Sequence, residues 1–448
     1  MTLDGSESTS VKAGEEVRVS FNPLTERGIP LDKQFRSWAE LNVQPYDTVA
    51  VHPYTRCRVI AMNGIEVEAQ INSHNTARRI TDLGLKQQLA MIRRAEQQQQ
   101  KAVNWLIPGD ESVIANTIGY EQVAVDLTSW LARHEPDPYL KKVYEFALLE
   151  DYDHLYRYAN LMDLMGEGRK AQEITGDYTE ILPGRPTIFE HRDPHDDLRR
   201  PMTLAAANFQ SAMNAITIVA AEQQTMNYYM NSGNRPTDPL ARGLYLEIAM
   251  IEEQHVSHYE SILDPSISEL TNLVLHEYNE CWLYWSCLRT ESDPRIKAIW
   301  ELHLGMEIEH LRLACEAMKA IERRDPAEFL PGNGMPEPMT FEPNKAFVRD
   351  VLARTIERGS WDALFLPVAE LPREHRYFDY QRTVNAGGVP SEDVISMHKQ
   401  QFGGEYRFAT DGEHPVPALR EQPQGELIYE RVTGQHAEPI EVRQEVPA

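Results

Sequence analysis

The chain has 448 residues, 69 acidic against 44 basic, and a formal net charge of −25. Such a length can bury a large core, and the charge argues against nucleic acid and acidic membrane surfaces as partners. No apolar run reaches transmembrane length and no charged, then apolar, leader opens the chain, so a cytoplasmic protein is expected.

In chain order, residues 1–77 read as an N-terminal segment with a β-hairpin. Thr48 to His52 forms a short extended run, and Arg56 to Met62 pairs with Ile65 to Ile71 around the turn signal Asn63-Gly64. Residues 78–107 then read as a long helix through Ile80, Leu83, Leu85, Leu89, Ile92 and Val103. Its Gln97 to Gln100 run is expected on a solvated face, with Glu96 at the surface rather than a ligand.

Next comes one spacing used three times: a Glu, an Asp-Pro sixteen residues later, and an acid-x-x-His fourteen residues after that Asp. The copies are Glu121, Asp137-Pro138, Asp151 and His154; Glu222, Asp238-Pro239, Glu252 and His255; and Glu277, Asp293-Pro294, Glu307 and His310. Asp before Pro is a strong helix start, with Asp as N-cap and Pro at the first helical position. Each copy is therefore a helical hairpin in which the lone Glu lies level with the acid and the His of the next helix.

An acid and a His three residues apart project from one helix face, and a Glu on a neighbouring helix can approach both. The stripes containing them are otherwise apolar or aromatic: Leu140, Tyr144, Ala147 and Tyr158 around Asp151 and His154, and Ala241, Tyr245, Ile248 and Tyr259 around Glu252 and His255. The third stripe reads Trp300, His303, Glu307, His310 and Ala314, three potential ligands on one face. A charged group within a buried stripe must be paired, protonated or metal-bound. Metal binding satisfies acid and imidazole together, and metal-free polar pairs in a structural repeat are the competing reading. After Arg324 the chain turns Pro-rich, with one helix expected from Pro343 to Arg358, strands at 426–433 and 439–446, and an ordered arm over 326–448 that strengthens a homodimer, its Tyr377, Phe378 and Tyr380 giving it something to bury. The four cysteines, Cys57, Cys281, Cys287 and Cys315, form no C-x-x-C pair, and Cys281 and Cys287, six apart, read as core thiols rather than a redox pair.

Over residues 115–322 these motifs resemble the ferritin-like di-iron and di-manganese carboxylate superfamily, which includes ferritins, rubrerythrins and manganese catalases. Such proteins build a bundle from two hairpins, each giving one Glu and one Glu-x-x-His, joined by a long crossover. Residues 166–201, rich in Gly, Pro and charge, fit that crossover. The resemblance implies a mainly α fold, a ferritin-like bundle over 78–325 built from three hairpins. It implies metal ligands Glu121, Asp151, His154, Glu222, Glu252 and His255, with Asp151 in place of the usual Glu. A rival pairing of the second and third hairpins would use Glu277, His303, Glu307 and His310, and the His303, Glu307, His310 triplet also resembles the ligand helix of p-aminobenzoate N-oxygenase-type di-iron enzymes. The expected cofactor is two Fe per site, alternatively Mn, and the expected function an oxidoreductase activating O2 or peroxide, with or without a small-molecule substrate. Mn catalase-like peroxide disproportionation and a non-catalytic metal-binding or structural scaffold are the alternatives. Tyr158 and Tyr259 are read as core residues that can also hydrogen-bond the ligands.

Overall fold

In the computed structural model, which describes residues 21–407 and 412–420, the chain is mainly helical. After the short α1 (Trp38–Leu41), two long helices, α2 (Pro53–Arg79) and α3 (Leu83–Asn104), form a first hairpin, and α4 (Val113–His134) with α5 (Pro138–Met165) form a second. A crossover carrying α6 (Ala171–Thr175) and α7 (Thr187–Glu190) leads to a third, α8 (Phe209–Ser232) with α9 (Pro239–Glu260), and a fourth, α10 (Glu269–Thr290) with α11 (Pro294–Ile321). The Asp-Pro corners start helices as their chemistry requires. Asp137 accepts from Tyr139 N and Leu140 N, Asp238 from Leu240 N and Ala241 N, and Asp293 from Arg295 N and Ile296 N.

The hairpins nest. The second and third pack together, α4 on α8 and α5 on α9, as a first four-helix bundle; the first and fourth pack together, α2 on α10 and α3 on α11, as a second. The two bundles meet where α2 crosses α4 and α8, and where α10 touches α8. No helix among the described residues is long and apolar enough to cross a membrane.

The expected β-hairpin at 48–71 is replaced by α2, whose N-cap His52 accepts from Tyr54 N and whose first residue is Pro53. The reason is burial on all sides. Wedged between bundles, α2 hides residues on every face, from Tyr54 to Met62 and on to Thr76, so the apolar period that marks a surface helix is absent. Asn63 and Gly64 lie mid-helix at the crossing with α8. Asn63 Nδ2 donates to Gln224 Oε1 at 2.7 Å, and a Cβ on Gly64 would lie 2.9 Å from the Cβ of Gln224. The glycine is there for close approach rather than for a turn. Gly64→Ala is expected to destabilise the protein by about 1–3 kcal/mol through overpacking, read as a lower urea midpoint; an unchanged midpoint would mean the helices separate freely.

The helix expected over 78–107 breaks at Ile80 to Asp82 and restarts with Asp82 capping Leu85 N, so it joins α2 in a hairpin. Glu96, Gln99 and Gln100 are buried, not solvated: this face of α3 turns toward α11 and the bundle interior. The C-terminal part is folded onto the first bundle. Here α12 (Lys345–Thr355) packs on α5, an antiparallel pair β1 (Arg358–Trp361) and β2 (Leu364–Pro367) follows, then α13 (Arg376–Val384), and α14 (Pro390–Phe402) packs on α5 and α9. Tyr377 and Phe378 are buried against Val368 and Leu371 of the same chain, and Tyr380 is half-buried. The strands expected at 426–433 and 439–446 lie outside the described residues. All four cysteines are free thiols, three of them buried.

Candidate metal centre

The first bundle brings Glu121 (α4), Asp151 and His154 (α5), Glu222 (α8), and Glu252 and His255 (α9) into one buried cluster. Asp151, Glu222, Glu252 and His255 offer ligand atoms within 4.8 Å of one another, and so do Glu121, His154 and Glu252. Glu252 belongs to both groups, so its carboxylate spans two adjacent positions. Each group contains one imidazole. Both clusters of donors are the kind of oxygen and nitrogen set that can hold a metal ion.

The two histidines are oriented alike. His154 turns Nδ1 inward, 3.0 Å from Glu252 Oε1 and 3.9 Å from Glu121 Oε2, and turns Nε2 outward, 3.0 Å from Glu190 Oε2. His255 turns Nδ1 toward Asp151 Oδ1 at 3.3 Å, Glu252 Oε2 at 3.5 Å and Glu222 Oε2 at 3.6 Å, and its Nε2 meets Glu150 Oε2 at 2.9 Å. In each ring an outer carboxylate stands at Nε2 and the inner Nδ1 faces the other carboxylates, the arrangement that supports a metal-ligating histidine once Nδ1 gives up its proton to an ion.

Burial pushes both imidazoles down, but Glu190 and Glu252 around His154, and Asp151 and Glu150 around His255, raise them well above the usual histidine range, so without an ion the two rings carry the charge that balances the cluster. Burial and the Glu252 charge push Glu121 well above the usual carboxylate range, and burial with the Asp151 charge pushes Glu222 up to about 8. Burial acts on Glu252 too, but the hydrogen bond from His154 and the nearby His255 imidazole hold it down at about 2. Asp151 Oδ2, Glu222 Oε1 and Glu121 Oε2 are buried and accept no hydrogen bond. Orphaned buried acceptors of this kind are rare in folded proteins, and a cation would satisfy them.

Sequence reasoning missed the outer layer. Glu190 comes from the crossover, as do Arg185 and Arg192, whose guanidinium groups clamp Glu150 from α5. Those two arginines and the histidine hydrogen bond overcome burial and keep Glu150 far below the usual range. Tyr229 also escaped notice; its hydroxyl donates to Glu121 Oε1. It lies seven residues after Glu222 on the same helix face, a signal the spacing does carry. Tyr158 and Tyr259 have buried hydroxyls without hydrogen-bond partners and stack on Tyr229 and Tyr144 respectively. Glu190→Ala is expected to weaken metal binding at the His154 position about 10–100-fold, measured by anaerobic Mn(II) titration; unchanged affinity would remove Glu190 from the site.

Glu277, Glu307 and His310 do not join this cluster. They face α2 and α3 inside the second bundle, so the hairpins bearing Glu222 and Glu277 contribute to separate groups of donors. His303 joins neither group of donors; its Nδ1 meets Tyr284 Oη at 3.1 Å, and burial lowers it to about 4. A cavity of about 220 Å³ at the corner of α9 and α10, lined in part by Met202, Ile216, Leu263 and Leu275, contains none of these residues. Buried ligand atoms rather than a cleft define the centre. Neither a protein-family model, a curated protein nor a solved structure matches the chain.

Proposed function

We propose that the chain is a ferritin-like dimetal carboxylate protein, an oxidoreductase acting on O2 or peroxide through a pair of Fe or Mn ions in the first bundle. The observation that carries this reading is the paired orientation of His154 and His255, each turning Nδ1 toward the shared Glu252 and Nε2 toward an outer carboxylate. Glu121, His154 and Glu252 would hold one ion; Asp151, Glu222, Glu252 and His255 would hold the other. The donor set fits: hard carboxylate oxygens with one imidazole per ion suit Fe(II) or Mn(II), and the orphaned oxygens of Asp151, Glu222 and Glu121 are the atoms an ion would satisfy. A bound pair supplies two-electron redox chemistry toward O2 or peroxide.

The protein's own groups prepare that chemistry. Glu190 and Glu150 stand at Nε2 of the two rings, where they would accept the Nε2 protons and keep Nδ1 for the ions. Arg185 and Arg192 hold Glu150 ionised, so it remains an acceptor. Tyr229 fixes the Glu121 carboxylate and keeps a phenol within reach of the site. Leu148, Leu155 and Ile248, on the helices that supply the donors, are buried in one apolar cluster. Rapid mixing of anaerobically Fe(II)-loaded protein with O2 or hydrogen peroxide tests the reading. Fast ferrous oxidation that disappears in His255→Ala is expected; protein that binds iron, gains thermal stability and stays ferrous would be a scaffold.

A further inference from the structure

The second bundle contains the same spacing in a form the sequence conceals. Glu66 on α2, Asp82 at the corner, and Glu96 and Gln99 on α3 stand sixteen, fourteen and three residues apart, as in the other hairpins, with Leu83 where they have Pro and Gln99 where they have His. This hairpin faces the one bearing Glu277, Glu307 and His310. The likeness extends to the outer layer. Tyr284, seven residues after Glu277, donates to Glu66 as Tyr229, seven residues after Glu222, donates to Glu121.

We propose that this second cluster is a separate site for one divalent first-row metal ion, held by Glu96, Glu277, Glu307 and His310. Glu96, Glu277 and His310 offer ligand atoms within 4.8 Å of one another, and His310 Nδ1 lies 3.0 Å from Glu307 Oε2. The imidazole repeats the orientation found in the first bundle: Nδ1 faces the carboxylates, and Nε2 meets Gln34 Oε1 at 2.7 Å from outside. Glu96 Oε2 and Glu277 Oε2, on side chains at least nine-tenths buried, accept no hydrogen bond and point into the cluster. Three carboxylates and one imidazole suit Mn(II), Fe(II) or Zn(II).

One ion is assigned rather than two because the other position, which Glu280 also approaches beside Glu277 and Glu307, is taken up by hydrogen bonds and offers no imidazole. By the pattern of the first bundle it would use Glu66, residue 99 and Glu307. There the Gln99 amide Nε2 donates to Glu307 Oε1 at 2.5 Å, and Tyr284 takes Glu66. An amide is a poor substitute for an imidazole, so the pair is reduced to a single ion.

Mn(II) titration of the full chain, read by metal count and electron paramagnetic resonance, tests this. The wild type is expected to take up about three ions per chain, and His310→Gln two. In His154→Ala/His255→Ala, about one ion should remain and give the six-line spectrum of isolated Mn(II), and adding His310→Gln should remove it. Gln99→His is expected to raise the wild-type count by one and broaden the isolated signal by coupling. Equal counts in wild type and His310→Gln overturn the second site and leave the first untouched. A wild type that takes up only one ion, lost with His310→Gln but kept in the double alanine variant, upholds the second site while the dimetal reading falls.

Discussion

His255→Ala is expected to abolish stoichiometric binding in the first cluster, and His154→Ala to do the same. In the group of Asp151, Glu222, Glu252 and His255, the imidazole is the one nitrogen donor. Its removal leaves three buried carboxylates that cannot all ionise together. Glu252 is shared with Glu121 and His154, so a displaced ion at one position disturbs a ligand of the other. Losing an outer partner of a ligand weakens binding by about 10–100-fold; losing the ligand itself should exceed that range. Isothermal titration with Fe(II) under anaerobic conditions reads the effect. Retention of near-wild-type affinity in either variant would show that its histidine is a buried hydrogen-bonding group and nothing more. Tm adds a second reading: an ion that binds only the folded chain stabilises it by mass action, so metal should raise Tm more in the wild type than in the variants, which keep only the ion of the second bundle.

The second large effect is on stability. Arg192→Met should destabilise the apo protein by about 3–5 kcal/mol, the usual consequence of removing one partner from a buried ion pair. Arg192 is fully buried and bridges two carboxylates, Glu150 and, from Nε at 2.9 Å, Asp197 Oδ1. Arg185 would still neutralise Glu150 from 3.0 Å, whereas Asp197 would be left without its guanidinium. Glu150 also accepts from His255 Nε2, so metal affinity should fall together with stability. A urea denaturation series measures the first and Mn(II) titration the second. A loss below about 1 kcal/mol, in the range of exposed pairs, would mean that water or protonation of Asp197 replaces the arginine without difficulty.

The three Asp-Pro hairpins and the six-residue set on α4, α5, α8 and α9 were legible in the sequence because helix caps and a three-residue acid–His spacing are local features. The same locality explains what was missed. In α2 the flanking contacts are tertiary: with no solvent face there is no amphipathic period, and Asn63-Gly64, which in isolation signals a hairpin turn, serves a helix crossing against Gln224. The fourth copy of the repeat lacks the two residues that made the others conspicuous, with Leu83 at the corner and Gln99 in the histidine position. Burial of Glu96 depends on α11 lying opposite, which no local pattern in α3 announces. Glu190, Arg185 and Arg192 sit in a crossover without periodicity, and only its path over α5 carries them to the imidazoles. Tyr229 was within reach of a spacing argument, because Glu222 and Tyr229 are two turns apart; the tyrosines considered instead, Tyr158 and Tyr259, follow the acid of the other helix in each hairpin.

Metal counting decides most directly whether the first bundle holds a pair of ions. The wild type and His154→Ala/His255→Ala are loaded anaerobically with Fe(II) or Mn(II), freed of excess ion, and analysed by plasma mass spectrometry for element and stoichiometry. The variant should carry two ions per chain fewer than the wild type. Equal counts in the two proteins would contradict the dimetal centre and leave the cluster of Glu121, Asp151, His154, Glu222, Glu252 and His255 as a buried polar network of structural use alone.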